Sequence, residues 1–368
     1  MNRTSLRRIA APSIAALALG LAVSACGAGN EDSGSSDSGS SDLSGKLDGA
    51  GSSAQESAMD AWRAGFQKEN SGATVNYDPS GSGAGVEKFN AGGVDFAGSD
   101  SALDAEKGEI DAAKERCGGD AIEVPNYVSP IAVVFNVEGV DSLQLTPKTI
   151  AAIFDGKITT WDDEAIKADN PDAKLPSTKI DPVHRSDESG TTKNFTDYLE
   201  KAGEGAWAHP SDKVWPIKSG EGANQTSGMI AAVSGGKGTI GYADLSQVGD
   251  LKAASIKVGD AWVEPSSEGA AKAVEASPLD DTRPEGDMAV KIDRTTTADG
   301  AYPLMLTSYL IACPTYDDKA KADLVKGFLS YVVSEQGQQE AADNAGSAPI
   351  PASFAEQAQK IVESISSK

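Results

Sequence analysis

The chain has 368 residues, which is more than a single hydrophobic core usually serves, so we expect two lobes. It is strongly acidic, with 55 Asp and Glu against 32 Lys and Arg and a formal net charge of −23. This charge argues against nucleic acid or an anionic lipid surface as a partner.

The first residues have the pattern of an export signal. Arg3, Arg7 and Arg8 precede an uncharged run that ends in Leu21-Ala22-Val23-Ser24-Ala25-Cys26-Gly27, which is similar to a bacterial lipobox. We therefore predict that residues 1–25 are a signal peptide and that Cys26 carries a lipid anchor such as palmitate. Loss of the three arginines takes the formal charge from −23 to −26. A plain secretory signal that happens to contain Cys is the alternative.

A segment without large apolar side chains follows Cys26. From Gly27 to Ser41 it consists almost entirely of Gly, Ser, Asp, Asn and Glu. Such a composition cannot bury a core. We predict a flexible linker over residues 26–42.

Helical and strand-like periodicities alternate through the rest of the chain. The predicted strands are Ala73–Tyr77, Val94–Ala97, Ile131–Asn136 and Tyr309–Ala312, and the predicted helices include Glu56–Glu69, Val86–Ala91, Leu103–Arg116, Thr146–Phe154 and Lys319–Ser334. This alternation favours an α/β fold with mostly parallel sheets. In such sheets, ligands bind beyond the carboxyl ends of the strands.

Two Gly/Ser turns lead into predicted helices. In the first, Ser53-Ala54-Gln55-Glu56 has the pattern of a capping box and precedes the apolar face of Met59, Trp62 and Phe66. In the second, the run from Ser80 to Gly85 follows a strand. Glycine lets backbone N–H groups approach an anion closely. Either turn taken alone is also compatible with an ordinary helix cap.

A third helix start adds an arginine. Ser189 occupies the position of an N-cap before a helix whose apolar face includes Phe195, Tyr198 and Leu199. The first turn of a helix carries free N–H groups and partial positive charge, so it holds an anion. Arg185, four residues upstream, adds a planar fork of donors suited to oxyanions. Three such starts together indicate an anion site.

One carboxylate ends a predicted strand near these turns. Asp100 follows the apolar segment Val94–Ala97 and could cap the helix that we predict from Leu103. In an anion site, it would instead accept a hydrogen bond from a protonated anion. Phosphate keeps a proton at neutral pH and sulfate does not, so an unpaired contact would cost sulfate about 1–3 kcal/mol.

Signals for catalysis are weak. The chain contains two histidines, His184 and His209, and neither has metal-ligand spacing. The Ser82 turn lacks the glycine pattern of a nucleophile elbow, and no Walker or dinucleotide motif is present. We expect a binding protein rather than an enzyme, with no cofactor and no metal.

Three cysteines are present, and Cys26 is assigned to the lipid. Cys117 and Cys313 remain, in a chain that we place outside the cell membrane, where disulfides persist. We predict a bridge between them. Two unpaired thiols are the alternative.

Several of these motifs together resemble a known family. They are Tyr77–Val86, Val94–Asp100, Leu145–Asp163, Arg185–Thr192 and Gly238–Tyr242. They are similar to the phosphate-binding protein (PstS) of high-affinity phosphate ABC importers, over a range from about Leu43 to the C-terminus. The resemblance implies a two-lobed (type II) periplasmic-binding-protein fold with the ligand in the cleft between the lobes.

The resemblance also implies the phosphate-binding residues. In the first lobe they are Ser53, Ala54, Ser82 and Asp100, and in the second lobe they are Arg185, Ser189, Gly190 and Thr191, with Asp187 orienting Arg185. Two positions depart from the family. Ser53-Ala54 stands where Thr-Phe is common, and Glu188 stands where Gly is common. We expect Glu188 to point to solvent.

The sequence therefore predicts a monomeric, lipid-anchored receptor that delivers inorganic phosphate to an ABC importer permease. Residues 43–129 and 302–368 should form the first lobe, and residues 130–301 the second. A carrier for sulfate or molybdate, or a secreted phosphatase, are the alternatives.

Overall fold

The structure is a computed structural model that describes residues 43–368. The predicted signal peptide, the linker over residues 26–42 and Cys26 lie outside the described residues and stay predictions. Within residues 43–368, no helix has both the length and the apolar character needed to cross a membrane.

The described part of the chain alternates strands and helices. The strands are β1 (Ser44–Gly51), β2 (Gly72–Asp78), β3 (Phe96–Ser99), β4 (Ile122–Asn136), β5 (Gln144–Leu145), β6 (Asp181–Arg185), β7 (Glu221–Ala223), β8 (Thr239–Asp244), β9 (Lys252–Ala253), β10 (Ser255–Val258), β11 (Ala261–Val263), β12 (Met305–Ala312), β13 (Thr315–Tyr316) and β14 (Ser366–Ser367). The helices are α1 (Glu56–Glu69), α2 (Ser82–Asn90), α3 (Glu109–Cys117), α4 (Pro147–Phe154), α5 (Glu164–Asp169), α6 (Gly190–Ala202), α7 (Gln225–Gly235), α8 (Ser267–Glu275), α9 (Lys319–Val333), α10 (Glu335–Ala345) and α11 (Ala352–Glu363). The predicted α/β class is confirmed.

One large sheet runs through the molecule in the order β2-β1-β3-β12-β4-β8-β6-β7, with β9 paired to β4. Parallel pairs form its two ends, where β1 pairs with β2 and β3, and β6 pairs with β7 and β8. Each antiparallel pair of this sheet includes β4 or β12. The parallel strands at each end place their carboxyl ends, and the turns that follow them, at one edge.

Strand β4 joins the two ends of the sheet. Its residues Ile122–Pro130 pair with β12, and its residues Ile131–Asn136 pair with β8. The predicted lobe boundary at 129/130 falls one residue before this change of partner. The boundaries themselves stay a prediction.

Each end of the sheet has an aromatic core that fixes its helices. The predicted face of α1 is buried, and Phe66 packs edge-on against Phe328 of α9, with ring centroids 5.4 Å apart. In the other lobe, Phe195 of α6 stacks on Tyr242 of β8 at 4.1 Å. Aromatic pairs at these distances contribute about 0.5–1.5 kcal/mol beyond the area that they bury. The second pair anchors the helix that carries Ser189 at its start.

The helix predicted from Leu103 begins later, at Glu109. The Leu103 N–H donates to Glu123 Oε1 (2.9 Å), and Asp104 accepts from the N–H groups of Glu106 and Lys107 in a turn. Gly108 then adopts a left-handed conformation with φ 74°, which a right-handed helix cannot continue through. The alternative role of Asp100 as the cap of this helix is therefore wrong.

Candidate functional site

The turns after β1, β2 and β3 are tied to one another. The Gly81 N–H donates to the Gly51 carbonyl (2.8 Å), and the Ser52 N–H donates to the Gly98 carbonyl (2.9 Å). Gly51 allows this approach, because a Cβ at that position would lie 1.9 Å from the Gly98 oxygen. The three turns therefore present their polar groups at one place.

Ser53 lies in the turn after β1, but it does not cap α1. The N-cap of α1 is Gln55, which forms no side-chain cap hydrogen bond, so the predicted capping box is wrong. The Ser53 hydroxyl oxygen instead accepts from Arg185 Nη2 (3.2 Å) and from the Thr226 N–H (3.1 Å). These partners belong to the other lobe. Because the Ser53 hydroxyl forms hydrogen bonds with them, it does not cap α1.

Ala54 is buried beside Ser53. Its N–H, which the resemblance assigns to the ligand, donates to Ser52 Oγ (3.0 Å) in this structure. Its carbonyl accepts from Gln247 Nε2 (2.9 Å), a residue of the second lobe. The Ala54 N–H is therefore directed into the turn, and its contact with a ligand stays a prediction.

Ser82 is the first residue of α2 and is buried. Its Oγ accepts from the backbone N–H of Asp100 (3.2 Å), which follows β3. A Cβ added to Gly190 would lie only 2.7 Å from Ser82 Oγ, so α6 approaches α2 closely here. Only glycine fits at position 190.

Asp100 is the buried acidic residue at the centre of these contacts, with 2% of its surface exposed. Its Oδ2 accepts from Thr191 Oγ1 (3.0 Å), and its Oδ1 accepts from Ser308 Oγ (2.8 Å). Burial raises the pKa of Asp100, against the lowering effect of the hydroxyl donors and of Arg185. An ionised carboxylate in this position accepts hydrogen bonds and donates none.

Arg185 ends β6, is buried, and pairs with Asp187. Its Nε donates to Asp187 Oδ1 (2.7 Å), and its Nη2 contacts Oδ2 of the same carboxylate. Asp187 also accepts from the Gln225 N–H (3.0 Å). Burial acts to raise the pKa of Asp187, but its hydrogen bonds and the charge of Arg185 hold that pKa below its ordinary value. Asp187 therefore fixes the direction of the guanidinium, as the resemblance implies.

The start of α6 has the geometry that the sequence predicts. Ser189 is its N-cap, and its Oγ accepts from the Thr192 N–H (3.3 Å). The Ser189 N–H donates to the Lys213 carbonyl (3.0 Å). Glu188, which precedes it, is exposed, but a Cβ added to Gly83 of α2 would lie 2.5 Å from Glu188 Oε2. The expectation that this carboxylate points to solvent stays a prediction. Gly190 and Thr191 then begin the helix against Ser82 and Asp100.

The eight residues that the resemblance implies thus lie together, and further buried polar residues join them. They are Ser52, Asn194, Thr226, Tyr242 and Ser308. Asn194 Nδ2 donates to the Asp100 carbonyl (2.6 Å) and to the Gly190 carbonyl (3.0 Å). Asn194 lies four residues after Gly190 and therefore on the same helix face, so the sequence spacing could have predicted its place in the site. Ser308 has no such signal, because it comes from a strand 208 residues away from Asp100.

Salt bridges also cross the cleft beside the site. Lys213 Nζ contacts both carboxylate oxygens of Glu109, at 2.6 and 2.8 Å. Lys107 contacts Asp212 in the same way. These ion pairs hold the loop after β3 against the segment that follows α6.

Cys117 and Cys313 form a disulfide in the structure, with an Sγ–Sγ distance of 2.02 Å and Cα atoms 5.1 Å apart. Cys117 ends α3, and Cys313 follows β12. The bridge ties the helix after the Asp100 loop to the strand that carries Ser308.

The continuous sheet and the cleft between its two ends define a two-lobed protein of the periplasmic-binding-protein (PBP) type. A family model for a PBP superfamily domain matches residues 36–336. The chain is 37% identical over 356 residues to phosphate-binding protein PstS 3 of Mycobacterium leprae, with 93% of this chain and 94% of the relative covered. It is 35% identical to PstS 2 of Mycobacterium tuberculosis, covering 96% of this chain and 98% of that one. The chain therefore belongs to the PstS family of phosphate-binding proteins.

Solved structures support the fold. One is a high-affinity periplasmic phosphate-binding protein bound with phosphate, with a TM-score of 0.71 at 21% identity, covering 86% of this chain and 93% of that chain. Another is the phosphate-binding protein from Stenotrophomonas maltophilia, with a TM-score of 0.65 at 18% identity, covering 86% and 93%. The two-lobed fold class predicted from the sequence is confirmed.

Proposed function

We propose that this protein binds inorganic phosphate between its lobes and delivers it to the permease of an ABC importer. The proposed ligand-binding residues are Ser53, Ala54, Ser82, Asp100, Arg185, Ser189, Gly190 and Thr191. Membership of the PstS family supports this function, since relatives identical at 35–38% are named phosphate-binding proteins. The names describe binding proteins, which supports a carrier without catalytic turnover.

The observation that carries the proposal is the position of Asp100. A buried carboxylate acceptor receives hydroxyl hydrogen bonds from both lobes, from Thr191 and from Ser308, and lies near the guanidinium of Arg185. Donors alone hold any tetrahedral oxyanion, whereas the acceptor requires an anion that still has a proton. An unmade bond to a charged group costs about 1–3 kcal/mol, which is roughly tenfold to a hundredfold in affinity. Phosphate meets this requirement and sulfate does not.

Calorimetry with phosphate, sulfate and molybdate tests the proposal on the purified protein. We expect one phosphate per chain and weak or undetectable sulfate binding near neutral pH. Asp100→Asn keeps the shape but replaces an acceptor oxygen with a donor, so its preference for phosphate over sulfate should fall at least tenfold. Asp141→Asn is the matched control, because the Asp141 side chain is 91% exposed.

Equal or stronger binding of sulfate or molybdate by the unmodified protein would show a carrier for another oxyanion. Catalytic release of phosphate from a phosphomonoester would show a phosphatase. Either result contradicts the phosphate-carrier proposal.

The proposed setting is the outer face of the cell membrane, where a monomer is tethered through lipid on Cys26. The lipobox-like sequence and the polar linker support this part of the proposal. Cys26→Ala should release the protein from membranes into the soluble fraction without changing its phosphate affinity. A variant that still fractionates with membranes would contradict the lipid anchor.

A further inference from the structure

Ser308 approaches the site from a strand that no binding motif includes. It lies within β12, is fully buried, and its Oγ donates to Asp100 Oδ1 (2.8 Å). The pairing of β12 with β4 shifts register between Ser308 and Tyr309. The extra residue at this shift is Asn126 of β4. The Ser308 hydroxyl faces the carboxylate that, in the proposed site, tests the ligand for a proton.

Ser308 and Thr191 donate to different oxygens of Asp100, and the Ser52 hydroxyl also acts to lower the pKa of this carboxyl group. Thr191 approaches Oδ2 from α6 in the second lobe, while Ser308 approaches Oδ1 from β12. Because β12 is hydrogen-bonded to β3, which directly precedes Asp100, Ser308 and Asp100 belong to one rigid part of the sheet. The Ser308 contact is therefore maintained when the lobes move relative to one another.

We propose that Ser308 is a positioning residue that determines specificity, because its hydroxyl keeps Asp100 an ionised acceptor. This inference rests on the proposed phosphate site. If Asp100 gains a proton, its carboxyl group becomes a donor and satisfies an oxyanion that carries no proton. The site then accepts sulfate. A hydrogen bond to the charged form opposes this protonation, which burial favours.

Most charged groups around Asp100 are paired with opposite charges, so hydroxyl donors are left to stabilise its ionised form. Arg185 faces Asp100 from β6, but its charge is largely matched by Asp187. The Tyr77 phenol faces it from β2, and burial raises the pKa of Tyr77 well above its usual range, so it stays neutral. A cavity of about 430 Å³ reaches Asp100, and its other charged lining residues are Asp104, Glu106, Lys193, Asp197, Lys201, Arg283, Lys291 and Arg294. Most of them are paired: Lys193 with Asp104, Arg294 and Lys201 with Asp197, and Lys291 and Arg283 with Asp280 and Asp287, which lie outside the lining.

Sulfate is the probe for the test, because its charge does not change between about pH 5 and pH 8. The pH dependence of its binding therefore reports the ionisation of groups in the protein. We expect sulfate binding by the unmodified protein to strengthen as the pH falls and Asp100 becomes protonated. Ser308→Ala should move the midpoint of this profile upward by about one pH unit, while Asp100→Asn should flatten it. Any pH dependence left in Asp100→Asn comes from groups other than Asp100.

Two further variants separate specificity from folding. Ser308→Cys is nearly isosteric and has a weak donor, so its midpoint should shift in the same direction by less. Ser308→Thr keeps the hydroxyl, so the midpoint of its sulfate-binding profile should equal that of the unmodified protein. Thr307→Val is the matched control, because the adjacent Thr307 hydroxyl is buried and has no hydrogen-bond partner among residues 43–368.

An unchanged sulfate profile in both Ser308→Ala and Ser308→Cys overturns the inference, as does an equal shift in Thr307→Val. Absence of phosphate binding by the unmodified protein is a different result, because it contradicts the proposed function itself. Phosphate binding with an unshifted sulfate profile contradicts the role of Ser308 alone.

Discussion

Thr191 Oγ1 donates a 3.0 Å hydrogen bond to Asp100 Oδ2, and this bond joins the first turn of α6 to the end of β3 across the cleft. The two residues are 91 positions apart in the chain. A donor from one lobe and an acceptor from the other thus meet at the proposed ligand site. Binding there depends on how closely the two lobes approach.

Gly190→Ala should weaken phosphate binding at least tenfold. The new Cβ would lie 2.7 Å from Ser82 Oγ and 2.9 Å from the Asp100 N, so the lobes could not approach to the observed distance. Calorimetry measures the affinity, and small-angle scattering measures closure. Gly228→Ala in α7 is the control, since its Cβ would have ordinary contacts at 3.8 Å. An affinity for phosphate unchanged in Gly190→Ala would show that this contact does not limit binding.

Arg185→Ala should also weaken phosphate binding by at least about tenfold, because charge-assisted bonds to an oxyanion are among the strongest available. The variant leaves Asp187 half-buried without its partner, which adds repulsion toward an anion. Lys148→Ala removes one positive charge from an exposed side chain and serves as the control. An unchanged dissociation constant in Arg185→Ala would remove Arg185 from the site.

Asp244 should make the unfolding free energy depend on pH. Burial raises its pKa from 3.8 to about 6. Because the folded-state pKa lies above the unfolded value, the stabilisation is fully present below the unfolded pKa and is lost as the pH rises through about 6. Asp244→Asn keeps an acceptor for Tyr127 and Ser246 without the buried charge.

Relative to Asp244→Asn, the unmodified protein should therefore lose about 2 kcal/mol of unfolding free energy between about pH 4 and pH 7. Chemical denaturation of both proteins at several pH values measures the difference. Parallel curves for the two proteins would show that folding does not raise the pKa of Asp244.

The Cys117–Cys313 disulfide should contribute about 2–4 kcal/mol to the stability of the protein. Replacement of both cysteines by alanine should lower the unfolding free energy by that amount, with phosphate affinity little changed. Alkylation without reductant, followed by mass spectrometry, reports the bridge in the unmodified protein. Full alkylation of both residues under those conditions would contradict the pairing.

Patterns that extend over a few residues determined much of this protein from the sequence. The face of α1 with Met59, Trp62 and Phe66 is buried, and the helix has the predicted bounds. Ser189 caps α6 as predicted, because an N-cap depends on neighbouring N–H groups. The motifs between Tyr77 and Tyr242 also identified the family. These features depend on periodicity, capping chemistry and motif residues, which a sequence displays directly.

The tertiary structure decided which groups meet. The Ser53 hydroxyl contacts Arg185 and Thr226 rather than capping α1, although its local sequence matches a capping box. Ser308 reaches Asp100 only because β12 inserts between β3 and β4 in the sheet. Sheet order and register arise from the burial of the whole core, so no short stretch of sequence reveals them.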